Sequence, residues 1–430
     1  MEVKKIKEFL LWSFFLFLPT QLGYHFWPKQ AYVWGLRIDF LSPTIYLTDL
    51  LILSLAFSSW PLWGKWLKKG WKNKTKILSL GLVLFFLVLN IIFSARPLVS
   101  FYRFLRLGEF FFLIFFLKRF QFSLWPQALL LGNLVSSFLA WGQVFKGSSL
   151  GGVFWWLGER SFNLATPGIA LAQVGNHLLL RPYATFSHPN SLAGFLLVSL
   201  LLLWGARESF KNKIFFNLVF FFLSLTLFLT FSFAAYLGAG LALIIFLWQK
   251  WRQKSGLLPK IGMGAVLLLY IIAILFSIEA GLVEQKSLNE RLVLAQNALV
   301  LIKKRPLLGV GLGNFIPAQA EMLPFLRQDV NLLQPVHNIY LLIASETGFI
   351  GLLVFITMAV KIFWRAGNVP LHYRAYAIRP YLLILFLGLF DHYWLTLPQN
   401  FLLFAVVLGF INTGLDGIKK QGKHTGLNRI

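Results

Sequence analysis

His337 stands at the mouth of a hydrophobic stretch in the run Gln334-Pro335-Val336-His337-Asn338-Ile339-Tyr340-Leu341. It follows residues 279–336, the one extended polar segment of the chain, which carries Arg291, Lys303, Lys304 and Arg305. An imidazole with an ordinary pKa of ~6.5 can take a proton from an alcohol at neutral pH. Guanidinium groups bind phosphate oxygens bidentately. A base beside cations at a membrane surface is what displacement of a lipid-linked pyrophosphate needs. The competing reading of His337 is a helix-start histidine satisfied by backbone or by a lipid headgroup.

The elements that position these groups are apolar and of membrane length. The chain has 430 residues, 58% of them hydrophobic, and its apolar runs recur near the ~20 residues that span a bilayer. Twelve spans are expected near 9–24, 45–63, 77–94, 106–117, 124–145, 189–206, 214–231, 232–248, 261–278, 337–360, 380–395 and 399–413. With the N-terminus inside, the inner segments hold 26 of the 40 Lys and Arg residues. Lys65, Lys68, Lys69, Lys72, Lys74 and Lys76 form the clearest inner loop. This positive-inside bias puts both termini in the cytoplasm and accounts for most of the +25 charge without nucleic acid. Lys4, Lys5 and Lys7 before the first span read as the flank of an uncleaved anchor. The chain contains no cysteine, which excludes thiol chemistry and thiolate metal sites. The expected fold is an all-α integral membrane protein: one polytopic domain over 1–430, with long extracytoplasmic loops at 146–188 and 279–336.

The 146–188 loop is rich in Gly and Trp and ends in Arg181-Pro182-Tyr183-Ala184-Thr185-Phe186-Ser187-His188-Pro189-Asn190. Arg181 there can bind substrate phosphate, or it can snorkel to phospholipid phosphates. In the 279–336 loop a helix is expected to open at the capping box Ser287-Leu288-Asn289-Glu290 and to close before Pro306, with Leu292, Ala295, Leu299 and Ile302 as its apolar stripe. Arg291 in the first turn of that helix hints at an anionic partner, because the positive end of the helix dipole disfavours a cation. Lys303, Lys304 and Arg305 complement the opposite end. The run Leu307-Leu308-Gly309-Val310-Gly311-Leu312-Gly313-Asn314-Phe315 lacks the Lys-Ser/Thr of a nucleotide loop, so its glycines are expected to let backbone pass close to another helix or to a lipid-linked group. With a helix starting at His337, Glu346 points away from it and takes a lining role or an ion pair. Asp391 and His392 are expected to line or hydrogen-bond. Arg96, Arg103 and Arg106 fall on the outer side, where a lipid-phosphate role is open to them. No His/Asp/Glu spacing matches a metal site, and neither metal nor cofactor is expected.

In this order, three blocks resemble the O-antigen ligase and O-antigen polymerase superfamily of bacterial envelope glycosyltransferases. They are Arg181 through Asn190; Asn289-Glu290-Arg291-Leu292 leading through Arg305-Pro306 to Phe315; and His337-Asn338-Ile339-Tyr340-Leu341 continuing to Glu346-Thr347-Gly348-Phe349-Ile350-Gly351. The resemblance covers about residues 181–355. It implies a GT-C type fold in the bacterial cytoplasmic membrane. It also implies metal-independent transfer of a glycan from undecaprenyl pyrophosphate to an acceptor hydroxyl on the outer face, as in lipopolysaccharide biosynthesis. The acceptor would be a glycolipid, a glycan or a protein. His337 corresponds to the proposed base and Arg181 and Arg291 to the pyrophosphate ligands; Arg305, His188 and Tyr340 join them as cavity residues. Where many relatives carry Ser-Arg in mid-bundle, this chain has Ser232-Phe233, so that arginine's role is absent or has moved. A polymerase of lipid-linked repeat units shares the motifs. A lipid-linked oligosaccharide flippase would be expected to show repeated halves, which are not seen here.

Overall fold

A computed structural model describes residues 2–61, 74–120, 122–174, 176–252, 285–322, 329–366 and 378–424. The expected span at 261–278 and most of the 64–76 loop lie outside the described residues.

The first half of the bundle contains α1 (Glu2–Phe17), α2 (Leu47–Ser58), α3 (Lys74–Ile92), α4 (Pro97–Leu117) and α5 (Trp125–Lys146). Next come α6 (Pro189–Gly205), α7 (Lys213–Leu229) and α8 (Phe233–Arg252). The second half contains α9 (Gln285–Lys304), α10 (Phe315–Met322), α11 (Ile339–Ala366), α12 (Arg379–Leu387), the short α13 (Tyr393–Thr396) and α14 (Pro398–His424). Among the described residues, the strands form two-stranded antiparallel ribbons, β1 (Gly23–His25) with β4 (Thr44–Tyr46), β2 (Tyr32–Val33) with β3 (Leu36–Arg37), and β5 (Leu171–Val174) with β6 (His177–Leu180). Among the described residues, Trp125–Lys146 and Ile339–Arg365 are long and apolar enough to cross a membrane, and shorter apolar helices surround them.

The core is built around α6, which packs against α5, α7, α8, α12 and α14 and is apolar on every side. A helix hydrophobic all round belongs in the centre of a bundle. His188 caps its start and Pro189 occupies its first turn, where a missing N–H costs nothing. Gly194 lets α6 approach α13: a Cβ there would meet the Tyr393 hydroxyl at 2.3 Å.

Two expectations about local structure are corrected. Helix α9 already runs at Gln285, so Ser287 is not its cap and Arg291 lies beyond the first turn. Its buried side is Leu294, Ala298, Leu301 and, as expected, Ile302, while Leu292 and Leu299 are exposed, because α9 presses the former against α10 and α11. The span expected at 380–395 is not one helix either. Helix α12 stops at Leu387 and α13 begins at Tyr393, leaving residues 388–392 as a break.

The glycine-rich turn after α9 packs backbone against backbone on α11, as expected. Val310 N–H donates to Ser345 O at 2.9 Å, Gly311 N–H to Glu346 O at 2.9 Å, and Phe349 N–H to Pro306 O at 2.7 Å. Gly348 interrupts α11 at φ 67°, and a Cβ there would lie 2.2 Å from Leu307 O. Glu346 serves this seam: its carboxylate accepts from Gly313 N–H at 2.9 Å and from Phe315 N–H at 3.4 Å. It makes no ion pair among the described residues and lines the adjacent cavity.

Candidate active site

Helix α11 begins at Ile339 rather than His337, because the Asn338 side chain caps it, accepting from Tyr340 N–H at 2.9 Å and Leu341 N–H at 3.0 Å. His337 is thereby freed from the helix and faces the break between α12 and α13. Its Nδ1 lies 3.2 Å from Asp391 Oδ1 and its Nε2 lies 3.2 Å from Gln334 Oε1. Gln334 is itself oriented, its Nε2 donating to Asn331 O at 2.7 Å. Asp391 also accepts from the His392 N–H at 2.8 Å and from Asn190 Nδ2 at 3.4 Å.

Through Asn190 the cluster reaches Arg181. The Arg181 Nη2 donates to Asn190 Oδ1 at 2.7 Å and its Nε to Thr230 O at 2.9 Å, tying residues 181–190 to the α7–α8 turn. That turn leads into Phe233 at the start of α8. Residues 183–184 are set from α5: Gln143 Oε1 accepts from Tyr183 N–H at 3.1 Å and from Ala184 N–H at 2.7 Å. Ala184 adopts φ 49°, a left-handed conformation that a non-glycine residue holds only when its surroundings require it. Desolvation pushes the Arg181 guanidinium down to about 10, with the nearby Arg291 charge adding to the effect, yet it remains a cation at neutral pH. His188 opens onto the cavity, with Nδ1 accepting from Asn190 N–H at 3.1 Å. Desolvation by the surrounding helices, and then the Arg181 charge, hold its imidazole below the ordinary value, so it is neutral. Arg291 donates from Nη1 to Phe390 O at 3.1 Å, directly beside Asp391.

Four expected site residues, Arg181, His188, Arg291 and His337, therefore gather around one carboxylate. The other two stand apart. Tyr340 turns its hydroxyl to Leu385 O at 2.9 Å and fastens α11 to α12. Arg305 is exposed at the end of α9, away from the cavity wall. Asp391 is the residue that sequence reasoning undervalued. The signal available was an acid-histidine pair inside an apolar stretch, where an ionisable group is costly without a purpose.

His337, Asp391, His392 and His188 sit on the wall of a cavity of about 610 Å³. Its remaining wall is largely apolar, including Leu82, Phe86, Leu107, Ile350, Val354 and Met358 from α3, α4 and α11. Arg103 and Arg106 also line it, whereas Arg181 and Arg291 do not, and all four are engaged by protein. Arg103 donates to Phe40 O at 3.0 Å, and Arg106 pairs with Asp49 and with Glu109, the latter at 2.6 Å. Arg96 donates to Gln30 O at 2.6 Å and Tyr32 O at 2.8 Å.

Residues 218–356 match the family model described as O-Antigen ligase. The match covers about a third of the chain and supports its resemblance to the O-antigen ligase and polymerase superfamily. Arg291, Arg305, His337 and Tyr340 fall inside the matched region, whereas Arg181 and Asp391 fall outside it. No curated protein matches the chain. The matched family supports a glycosyltransferase-type membrane enzyme of envelope polysaccharide synthesis.

Proposed function

We propose that the protein transfers a glycan from undecaprenyl pyrophosphate to an acceptor hydroxyl on the outer face of the bacterial cytoplasmic membrane, as an O-antigen ligase. The observation that carries this reading is the joining of His337, Asp391, Asn190 and Arg181 in one hydrogen-bonded chain, with Arg291 beside it. The acceptor oxygen attacks the anomeric carbon and its proton passes to His337. The bond from that carbon to the pyrophosphate oxygen breaks, and its electron pair leaves on the pyrophosphate, where Arg181 and Arg291 offset the charge. Asp391, accepting from Nδ1–H, makes Nε2 the receiving nitrogen and stabilises the imidazolium that forms. Nε2 is the atom that Gln334 covers, so the acceptor hydroxyl takes the place of the Gln334 carbonyl.

The apolar wall between α3, α4 and α11 suits a polyprenyl tail, with its headgroup at the polar end. Arg181, bonded to the turn before Phe233, supplies a cation near where relatives carry theirs. His188 is assigned to headgroup binding as a neutral hydrogen-bonding group, Tyr340 fastens α11 to α12, and Arg305, away from the cavity wall, is given no contact with the donor. Hydropathy and the charge bias support twelve spans with cytoplasmic termini, which would put 146–188 and 279–336 outside with the cluster, and the GT-C type is what the resemblance implies. No metal takes part in this scheme.

Reconstitution in liposomes with undecaprenyl-pyrophosphate glycan and candidate acceptors tests the assignment. Transfer that survives His337→Ala would remove the base. Product analysis separates a ligase from a polymerase: glycan on a foreign acceptor marks the former, and lengthened lipid-linked glycan the latter.

A further inference from the structure

His337, Asp391 and His392 each offer one ligand-type atom within 4.8 Å of the others. The proposed transfer chemistry leaves His392 without a task. Its imidazole is 8% exposed and stands edge-on to the Phe40 ring at 5.4 Å. Thr396 fixes its tautomer. The Thr396 hydroxyl donates to His392 O at 3.2 Å, so it accepts the proton of Nδ1 at 2.7 Å, leaving Nε2 bare. That bare nitrogen lies 3.9 Å from Asp391 Oδ1, too far for a hydrogen bond.

Gln334 gives His337 a choice of tautomer. Gln334 Nε2 is committed to Asn331 O, so its carbonyl oxygen faces His337 Nε2 and is able to accept a proton there. Without a cation, Nδ1–H donates to Asp391 Oδ1, 3.2 Å away; a cation beside that carboxylate would displace the Nδ1 proton and favour the tautomer whose proton Gln334 accepts from Nε2. In that tautomer two bare nitrogens converge on one carboxylate oxygen, and each imidazole gives its outer proton to an oxygen acceptor. This is how protein metal sites orient histidine ligands. Ligands bound to zinc at 2.0–2.2 Å in tetrahedral arrangement lie about 3.3 Å apart, so only His392 has to close in.

We infer that His337 Nδ1, Asp391 Oδ1 and His392 Nε2 form a binding site for a divalent transition cation of the zinc class, and that bound zinc switches transfer off by occupying His337. Two imidazoles among three ligands favour zinc over magnesium or calcium. The 17% exposed His337 side chain leaves the fourth position open to the cavity. The two tautomers of His337 divide the site: Nδ1–H serves transfer, and Nε2–H serves the cation. The inhibition rests on the proposed role of His337; the binding does not.

The test uses the full chain in detergent, stripped with chelator and titrated with Co²⁺. A saturable visible band of tetrahedral cobalt, displaced by Zn²⁺, is expected. His392→Gln should weaken Co²⁺ binding by at least about 10-fold, and Thr396→Val should weaken it in the same direction. In liposomes, Zn²⁺ should inhibit wild-type transfer, chelator should restore it, and His392→Gln should transfer normally and resist Zn²⁺. No saturable cobalt band, or equal binding by His392→Gln, overturns the site. Cobalt binding without zinc inhibition of an active wild type overturns the switch. An inactive wild type that still binds cobalt supports the site and counts against the transferase reading alone.

Discussion

Asp391 follows His337 by 54 residues, yet its Oδ1 lies 3.2 Å from the histidine Nδ1. The contact exists because α12 stops at Leu387 and the chain turns back over the capped start of α11. There the backbone Ile339 N–H donates to Gly388 O at 2.8 Å. A carboxylate so held selects one imidazole tautomer, which is the structural basis of the predictions for the base.

Asp391→Asn should therefore reduce kcat by about 10²–10⁴-fold while leaving donor binding nearly unchanged, because the ring loses its orientation and its counter-charge. His337→Ala should cost as much or more, and the double variant should be no worse than His337→Ala alone. Single-turnover transfer in liposomes measures all three.

Arg181 uses its fork geometry, with Nε on Thr230 O and Nη2 on Asn190 Oδ1. Lysine cannot make both contacts, so Arg181→Lys and Arg181→Ala should each weaken donor binding by roughly 10-fold. Inorganic pyrophosphate should compete with donor in the wild type and less well in either variant. The Arg181 charge is complete at neutral pH and would be lost only as the pH rises toward about 10, so its contribution to donor affinity should stay flat through neutral pH.

Gly348 adopts φ 67° with the Leu307 carbonyl pressed against it. Gly348→Ala should destabilise the protein by about 1–3 kcal/mol through backbone strain alone, and by more through the collision. Thermal unfolding in detergent should show a lowered Tm, and the glycine-rich turn should become more accessible to protease.

Excess chelator should leave basal transfer intact, because cations from arginine rather than metal offset the leaving charge in the proposed scheme. Transfer lost on chelation and recovered with a divalent ion would replace that scheme with a metal-assisted one.

Part of the candidate site was legible in the order of residues. Arg181, Arg291 and His337 each stand out beside an apolar stretch, because local residue type and hydropathy are properties of a segment by itself. The glycine-rich turn was legible for the same reason: only glycine adopts positive φ cheaply, and Gly309, Gly311 and Gly313 all do so here. The buried face of α9 was misread because Leu292 and Leu294 are alike as residues, and only the neighbours α10 and α11 decide which one is covered.

By itself the sequence determined an apolar helical chain carrying a histidine and two arginines in a recognisable order. The tertiary structure alone decided that Asp391 meets His337, that Asn190 links that pair to Arg181, and that the helix expected over 380–395 breaks to allow it. Hydropathy scores a buried carboxylate as a cost wherever it lies. Its partner is set by which helix ends pack together, and that is a property of the whole bundle.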